Sequence, residues 1–387
     1  MTMAKTNRPL DMSVISLCCW SNMAYYINKL QTVYSQIRIK GLKYFIYSHM
    51  FRSLMRFISR GYLYLPLRTF ELCLSGSTSR KFTLPGYIQL EPTSRCNLRC
   101  RNCTRDNLTS VGNLSLSNFS TIMNQFPFVK MVKLQGLGEP LLNDSLFDMA
   151  KMIRKKQAVT YIATNGTLID KKNVKKLSIY FDKIEISIDS PRQSTFINIR
   201  GADSLNNIIE GSRSLAQLAK NKDIAINFVI EKGNVRELPE MIPLLRYLGI
   251  KHLNVVGIQN WVKPDSKHIQ KRNEIADRGI IGEDILSSYV RKASELAKKN
   301  NMFISLSVSG SYRGRCSWYK NGLYISWNGY VTPCCMRPNY EEFNFGNALE
   351  KSVKEIWNSA DYVEFRKTLA SGEFPGLCAG CLFARQN

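Results

Sequence analysis

The sequence predicts an α/β protein: a partial (βα)6 barrel with a small cysteine-bearing C-terminal domain, preceded by a helical N-terminal extension. Two observations carry this. From Tyr87 onward, six short apolar runs recur with helical patterns between them, and each gap can hold the crossover that parallel strands need. Past residue 300 the character changes, and a hairpin-like stretch is followed by a second group of cysteines. The boundaries that follow are 1–86, 87–300 and 301–387.

The extension comes first. A chain of 387 residues suffices for two or three domains with a sizeable core. Its net charge of +24 favours anionic partners without naming one. Residues 1–86 hold twelve Lys or Arg against only Asp11 and Glu71, so the charge is concentrated at the front. The best helix here runs from Leu42 to Arg60. Arg52, Arg56 and Arg60 lie along one side, with Ile46, Met50, Leu54, Phe57 and Ile58 around another, and Gly61 closes it. Such a pattern fits first a helix packed on the barrel with solvated arginines, and second a membrane interface, where the arginines would meet anionic headgroups. No run of 18 apolar residues exists, which argues against a spanning helix. The stretch Val14 to Trp20 is too short for a signal sequence, and Leu17 before Cys18 is not the small residue a cleavage site wants. Of the eleven cysteines, seven fall into two groups and not into an evenly spaced disulfide framework, which points to a reducing compartment. Cys18, Cys19 and Cys73 read as ordinary cysteines. The expected location is the cytoplasm, with peripheral membrane contact through residues 1–86 left open.

Strand one, Tyr87–Leu90, leads into Glu91-Pro-Thr-Ser-Arg-Cys96-Asn-Leu-Arg-Cys100-Arg-Asn-Cys103. This CxxxCxxC spacing offers three thiolates and no fourth ligand; His49, His252 and His268 all lie far away in sequence. A structural zinc is normally closed by four protein ligands, whereas an iron–sulfur cluster on three thiolates keeps one iron open for chemistry. Strand two, Val129–Leu134, is followed by Gly136-Leu-Gly138-Glu139-Pro140. The glycines would let backbone approach a ligand, and Glu139 could receive an ammonium group; alone, the pentapeptide also fits a glycine turn. Strand three, Val159–Ala163, ends in Thr164-Asn165-Gly166-Thr167, and strand four, Ile184–Ile188, carries Ser187, Asp189 and Ser190 at its end. Each of these ends also fits a helix N-cap. Strands five and six cover Ile224–Ile230 and His252–Ile258, and Gln259, Asn260 and Trp261 follow as positional candidates for substrate contact. In such folds, ligand groups sit on the loops after strand C-termini.

The C-terminal segment carries Cys316, a hairpin with strands at Tyr324–Trp327 and Tyr330–Thr332, then Pro333-Cys334-Cys335 and Cys378-Ala-Gly-Cys381. A hairpin at one end and a CxxC knuckle at the other can converge four thiolates. A structural zinc and an iron–sulfur cluster both fit that set.

Together, the CxxxCxxC loop after a strand and Gly136-Leu-Gly-Glu-Pro140 after the next resemble the radical S-adenosylmethionine (radical SAM) enzymes. The resemblance implies the open barrel of the radical SAM type and a 4Fe–4S cluster on Cys96, Cys100 and Cys103. The open iron is chelated by S-adenosylmethionine, whose reductive cleavage yields a 5'-deoxyadenosyl radical that takes a hydrogen atom from substrate. It further implies cofactor contacts at Gly136, Gly138, Glu139, Asn165, Ser187, Asp189 and Arg200, with Glu139 on the methionine amino group. The C-terminal segment resembles the twitch domain, a truncated SPASM domain, which assigns Cys316, Cys334, Cys378 and Cys381 to one auxiliary 4Fe–4S cluster and leaves Cys335 as a buried neighbour. An electron donor such as flavodoxin or ferredoxin is implied. The reaction expected from the resemblance is dehydrogenation or dehydration of a sugar-like or other small-molecule substrate, by an oxidoreductase or lyase. Peptide maturation is the alternative. A nucleic-acid-binding or RNA-modifying iron–sulfur protein is the minor third reading: the charge motivates it, but no RNA-binding module is recognised.

Overall fold

The computed structural model describes residues 84–258, 267–308, 316, 318–378 and 381. The basic extension up to residue 83, with its expected Leu42–Arg60 helix, and the trio Gln259, Asn260 and Trp261 lie outside the described residues.

One sheet organises the rest. Its parallel strands are β1 (Tyr87–Leu90), β2 (Met131–Leu134), β3 (Val159–Thr164), β4 (Lys183–Ser187), β5 (Asp223–Ile230), β6 (His252–Gly257) and β7 (Phe303–Ser307). On the other side of β1 lie β8 (Gly322–Ile325), also parallel, and β9 (Val331–Thr332), antiparallel to β8. All six expected strands are present, and the spatial order runs β7-β6-β5-β4-β3-β2-β1-β8-β9. Two differences stand out. The strand Phe303–Ser307, which falls in the expected C-terminal segment, pairs with β6 and extends the barrel sheet. The hairpin strand β8 pairs with β1 register for register, Gln89 opposite Tyr324, so the C-terminal segment is built onto the barrel edge.

Helices α1 (Leu116–Asn124), α2 (Leu146–Lys155), α3 (Lys171–Tyr180), α4 (Gln193–Arg200), α5 (Leu205–Leu218), α6 (Met241–Leu248), α7 (Ile269–Gly279) and α8 (Glu283–Lys299) fill the connections. Their apolar spacing explains why they cover the sheet. In α2, Leu146, Met149, Ala150 and Ile153 recur at three and four residues and are all buried. They meet one face of the strands, where Ile88, Leu90, Val132, Leu134, Ile162, Ile184, Ile186, Ile226 and Leu253 have no exposure at all. Each such aliphatic side chain removed from water contributes roughly 2 kcal/mol.

The opposite face is polar. Lys133, Tyr161, Glu185, Asn227 and Asn254 alternate with those apolar residues and keep a small exposure. The Lys133 ammonium lies 2.8 Å from Glu185 Oε2 and 4.2 Å from the Tyr161 ring centroid. Asn254 Nδ2 donates to Asn227 Oδ1 at 2.9 Å and to Glu185 Oε1 at 3.2 Å, and Ser305 Oγ donates to Asn254 Oδ1 at 2.6 Å. Burial alone would raise the Glu185 carboxyl, but Lys133 and the surrounding hydrogen bonds hold it below its ordinary value.

After β9, helices α10 (Val353–Trp357) and α11 (Ala360–Ser371) close the C-terminal segment; α9 (Trp318–Asn321) precedes β8. Its core is aromatic. Tyr362 stacks on Phe345 at 3.9 Å between centroids, and the Arg366 guanidinium sits 4.1 Å from the Trp357 ring while Nη1 donates to Trp357 O at 2.6 Å.

Candidate active site

The first cysteine loop is short and needs outside support to hold a shape. Cys103 N donates to Cys100 O at 3.0 Å, which turns the chain between them. Arg101 N donates to Ile199 O at 3.0 Å, tying the loop to the end of α4. There Gly201, in the left-handed region at φ 73°, lets the backbone pass so near that a Cβ would lie 2.8 Å from Arg99 O. Glu231, fully buried after β5, pairs with Arg101 and accepts from Asn102 Nδ2 at 2.6 Å. Arg278 Nε donates to Asn102 Oδ1 at 2.8 Å and Lys271 Nζ to Arg101 O at 2.6 Å, both from α7. The residues between the cysteines are thus anchored, and the three thiols stay partly exposed on the loop after β1.

Around these thiols stand the polar groups expected from the later loops. Asn165 Nδ2 lies 3.8 Å from Cys96 Sγ and donates to Asn97 Oδ1 at 2.9 Å. Arg200 Nη1 lies 3.8 Å from Cys100 Sγ, while Arg200 Nε pairs with Asp189 Oδ2 at 2.6 Å. Arg200 is therefore an ion-paired residue of the site, its side chain 13% exposed. Burial would lower its pKa, but Asp189 and Cys100 beside it more than offset that and raise it. Asp189 Oδ1 also accepts from Val229 N at 2.8 Å, fixing its own position. Ser187 ends β4 half-buried. Neither Asn165 nor Asp189 caps a helix: α3 is capped by Asp170, and Arg192 precedes α4.

Glu139 is 1% exposed and occupied by the protein. Oε1 accepts from Leu141 N at 3.1 Å and Thr164 Oγ1 at 2.7 Å, and Oε2 accepts from Asn165 N at 2.7 Å. It clamps the loop after β2 onto the end of β3, leaving Oε2 the freer oxygen. Burial pushes its carboxyl up. The two glycines before it serve packing first. A Cβ on Gly136 would lie 2.1 Å from Glu91 Cγ, and one on Gly138 2.3 Å from Thr93 O.

The second group converges. Cys316, Cys334, Cys335, Cys378 and Cys381 all line one apolar cavity of about 350 Å³. Arg337 Nε donates to Leu377 O at 2.6 Å and holds the Cys378 turn beside Cys334. Cys335, expected to be only a buried neighbour, lines the same cavity, with Lys133 as its nearby positive charge. Burial raises the thiols of Cys96, Cys316 and Cys334, and pushes Cys103 and Cys335 up to about 11 and Cys378 to about 12. Left alone these thiols hold their protons, so a metal centre must displace them to bind.

Among the described residues, no three His, Cys, Asp or Glu side chains converge closely enough to hold a single metal ion. What fits two iron–sulfur clusters is the chemistry of the donors: an open trio of thiols on the loop after β1, and five cysteines around one cavity. Residues overlooked in the sequence are Glu91, Glu231 and the Lys133–Glu185 pair. The Lys133–Glu185 pair had a signal in the period-two alternation of Met-Val-Lys-Leu and Lys-Ile-Glu-Ile-Ser, which marks a polar second face; Glu91 and Glu231 had none.

Comparison with known proteins agrees. The radical SAM superfamily profile matches residues 90–245, and that of SPASM, an iron–sulfur cluster-binding domain, matches residues 316–382. The chain is 27% identical over 324 residues to the tungsten-containing aldehyde ferredoxin oxidoreductase cofactor-modifying protein of Pyrococcus furiosus, covering 76% of this chain and 86% of that one. It is 25% identical to the antilisterial bacteriocin subtilosin biosynthesis protein AlbA of Bacillus subtilis, covering 80% and 69%. Among solved structures, Streptococcus suis SuiB bound to the precursor peptide SuiA matches with a TM-score of 0.59 at 14% identity, covering 87% of this chain and 79% of that one. These domains imply a SAM-binding 4Fe–4S cluster, an auxiliary iron–sulfur cluster and S-adenosylmethionine. No helix among the described residues is long and apolar enough to cross a membrane.

Proposed function

Because the chain is a radical SAM protein with a C-terminal SPASM domain, we propose that it is a maturase that modifies a peptide by hydrogen-atom abstraction. The observation that carries the reading is the open three-thiol loop after β1, beside a polar sheet face, with a second thiol-lined cavity built from the segment that pairs with the other side of β1. When bound, the first cluster and S-adenosylmethionine supply a 5'-deoxyadenosyl radical that takes hydrogen from an unactivated carbon.

Cys96, Cys100 and Cys103 would hold that cluster. Glu139 Oε2 offers an acceptor for the cofactor's ammonium group. Asp189 fixes Arg200 by their 2.6 Å ion pair, so the guanidinium presents a positive edge beside Cys100. Asn165 presents its amide next to Cys96. Cys316, Cys334, Cys378 and Cys381 would hold the auxiliary cluster, with Cys335 lining the same cavity.

The peptide assignment rests on relatives that act in bacteriocin biosynthesis or bind a precursor peptide. The sugar-like or other small substrate expected from the sequence gives way for this reason. The test is anaerobic incubation of the reconstituted protein with dithionite, S-adenosylmethionine and synthetic peptides from short reading frames beside its gene. A peptide whose mass falls by whole hydrogens as 5'-deoxyadenosine accumulates supports maturation; oxidation of a sugar with every peptide unchanged rejects it.

A further inference from the structure

Glu91, the last residue before the cysteine loop's Pro92, is 1% exposed and stands between two parts of the molecule that sequence keeps far apart. Oε1 accepts from Leu137 N at 2.7 Å, inside the Gly136–Pro140 loop. Oε2 accepts from Trp327 N at 3.2 Å, in the turn of the β8–β9 hairpin that leads to Cys334. Its own backbone N donates to Ile325 O at 2.9 Å. Gly136 has no room for a Cβ because Glu91 fills that space, and the Trp327 ring in turn lies where a Cβ on Gly112 would be. The same side of the hairpin segment grips the chain just past the cysteine trio. Glu341 accepts from Thr109 N at 3.0 Å, and the Ser110 and Tyr340 hydroxyls share a hydrogen bond at 2.8 Å.

We propose that Glu91 is a positioning residue that couples the seating of the auxiliary domain to the shape of the cofactor-binding Gly136–Pro140 loop, by sharing one carboxylate between Leu137 N–H and Trp327 N–H. A buried carboxylate accepting two backbone donors makes strong, directional bonds, and both donors become unsatisfied when it is removed. The auxiliary segment thereby contributes to S-adenosylmethionine binding without touching it. Burial pushes the Glu91 carboxyl up to about 7. Below that pH it carries a proton on one oxygen and only one N–H keeps a full acceptor. The titratable side chains that face Glu91 are Tyr324 on β8 and Tyr340 farther off, both raised and uncharged between pH 6 and 8.

The proposal rests on Gly136–Pro140 being the cofactor's loop and not on the peptide substrate, so no peptide is needed. Reduced, reconstituted wild type and E91Q are titrated with S-adenosylmethionine from pH 6 to 8. The electron paramagnetic resonance signal of the open cluster and the KM of uncoupled 5'-deoxyadenosine release are read together, and iron content is measured alongside. E91Q is expected to hold normal iron, to need about tenfold more S-adenosylmethionine by both readouts, as loss of one buried charged hydrogen bond implies, and to change kcat little. Wild-type affinity is expected to weaken as pH falls through about 7, and E91Q to lose that dependence. An iron-replete E91Q that titrates like wild type across this range overturns the proposal. If E91Q takes up no iron, E91D replaces it: a severalfold weakening supports the coupling, and wild-type affinity and pH response overturn it. A wild-type cluster signal indifferent to S-adenosylmethionine overturns both this proposal and the functional reading.

Discussion

At the scale of single residues, the site is a set of buried charges, each with a named partner. Lys133 and Glu185 illustrate what this costs. Their side chains are 13% and 14% exposed, and neither charge is tolerable there without the other. Replacing Lys133 by Met should destabilise the fold by about 3 kcal/mol, because it leaves the Glu185 carboxylate buried and unpaired. Replacing Glu185 by Leu as well should recover most of that loss, since the remaining cost was the orphaned charge and not the missing contact. Urea unfolding of the two variants checks this; equal stability of single and double variants would mean that water already solvates Glu185. The sequence announced some of these residues and concealed others. The cysteines were legible because their spacing is chemistry in itself. Glu91 was not, because its partners Leu137 and Trp327 are backbone donors brought together only by the fold.

At the scale of elements, the loops after strands β1 to β5 are packed on one another more tightly than a list of motifs conveys. Gly138 shows the consequence: a Cβ there would lie 2.3 Å from Thr93 O and 2.5 Å from Arg95 O, while Glu139 N donates to Arg95 O at 2.8 Å. Gly138→Val should push the Glu139 loop off the cysteine loop and lower stability by about 1–3 kcal/mol, as overpacking does. Differential scanning fluorimetry of the iron-free protein checks it, and an unchanged melting temperature would show that the loops separate freely. The strands themselves were readable from apolar runs bounded by turn signals. The edges were not: β7 reads as an exposed, weakly apolar Phe-Ile-Ser-Leu-Ser, and the pairing of β8 with β1 depends on contacts more than 200 residues apart in sequence. Periodicity carries no information about such long-range neighbours.

At the scale of the whole molecule, one sheet connects two sets of cysteines. The open trio lies after β1, and the hairpin β8–β9 that is bonded to β1's other side leads directly to Cys334 and Cys335. The fold class and the two cysteine groups were visible in the sequence because both arise from local pattern. The relation between the groups was not, since it is made by sheet order and by Glu91, Thr109 and Ser110 bridging to the hairpin segment. Nor was the substrate, which no motif in the sequence names. The central claim is that these are two separate iron–sulfur sites, of which only the first starts the radical. Iron content and 5'-deoxyadenosine release, measured together on the wild type and on the C96A/C100A/C103A triple variant, test it most directly. The wild type should bind about eight irons and the variant about four, as removal of one 4Fe–4S site requires, with 5'-deoxyadenosine release abolished. A variant that keeps all its iron, or that still cleaves S-adenosylmethionine, would contradict the claim.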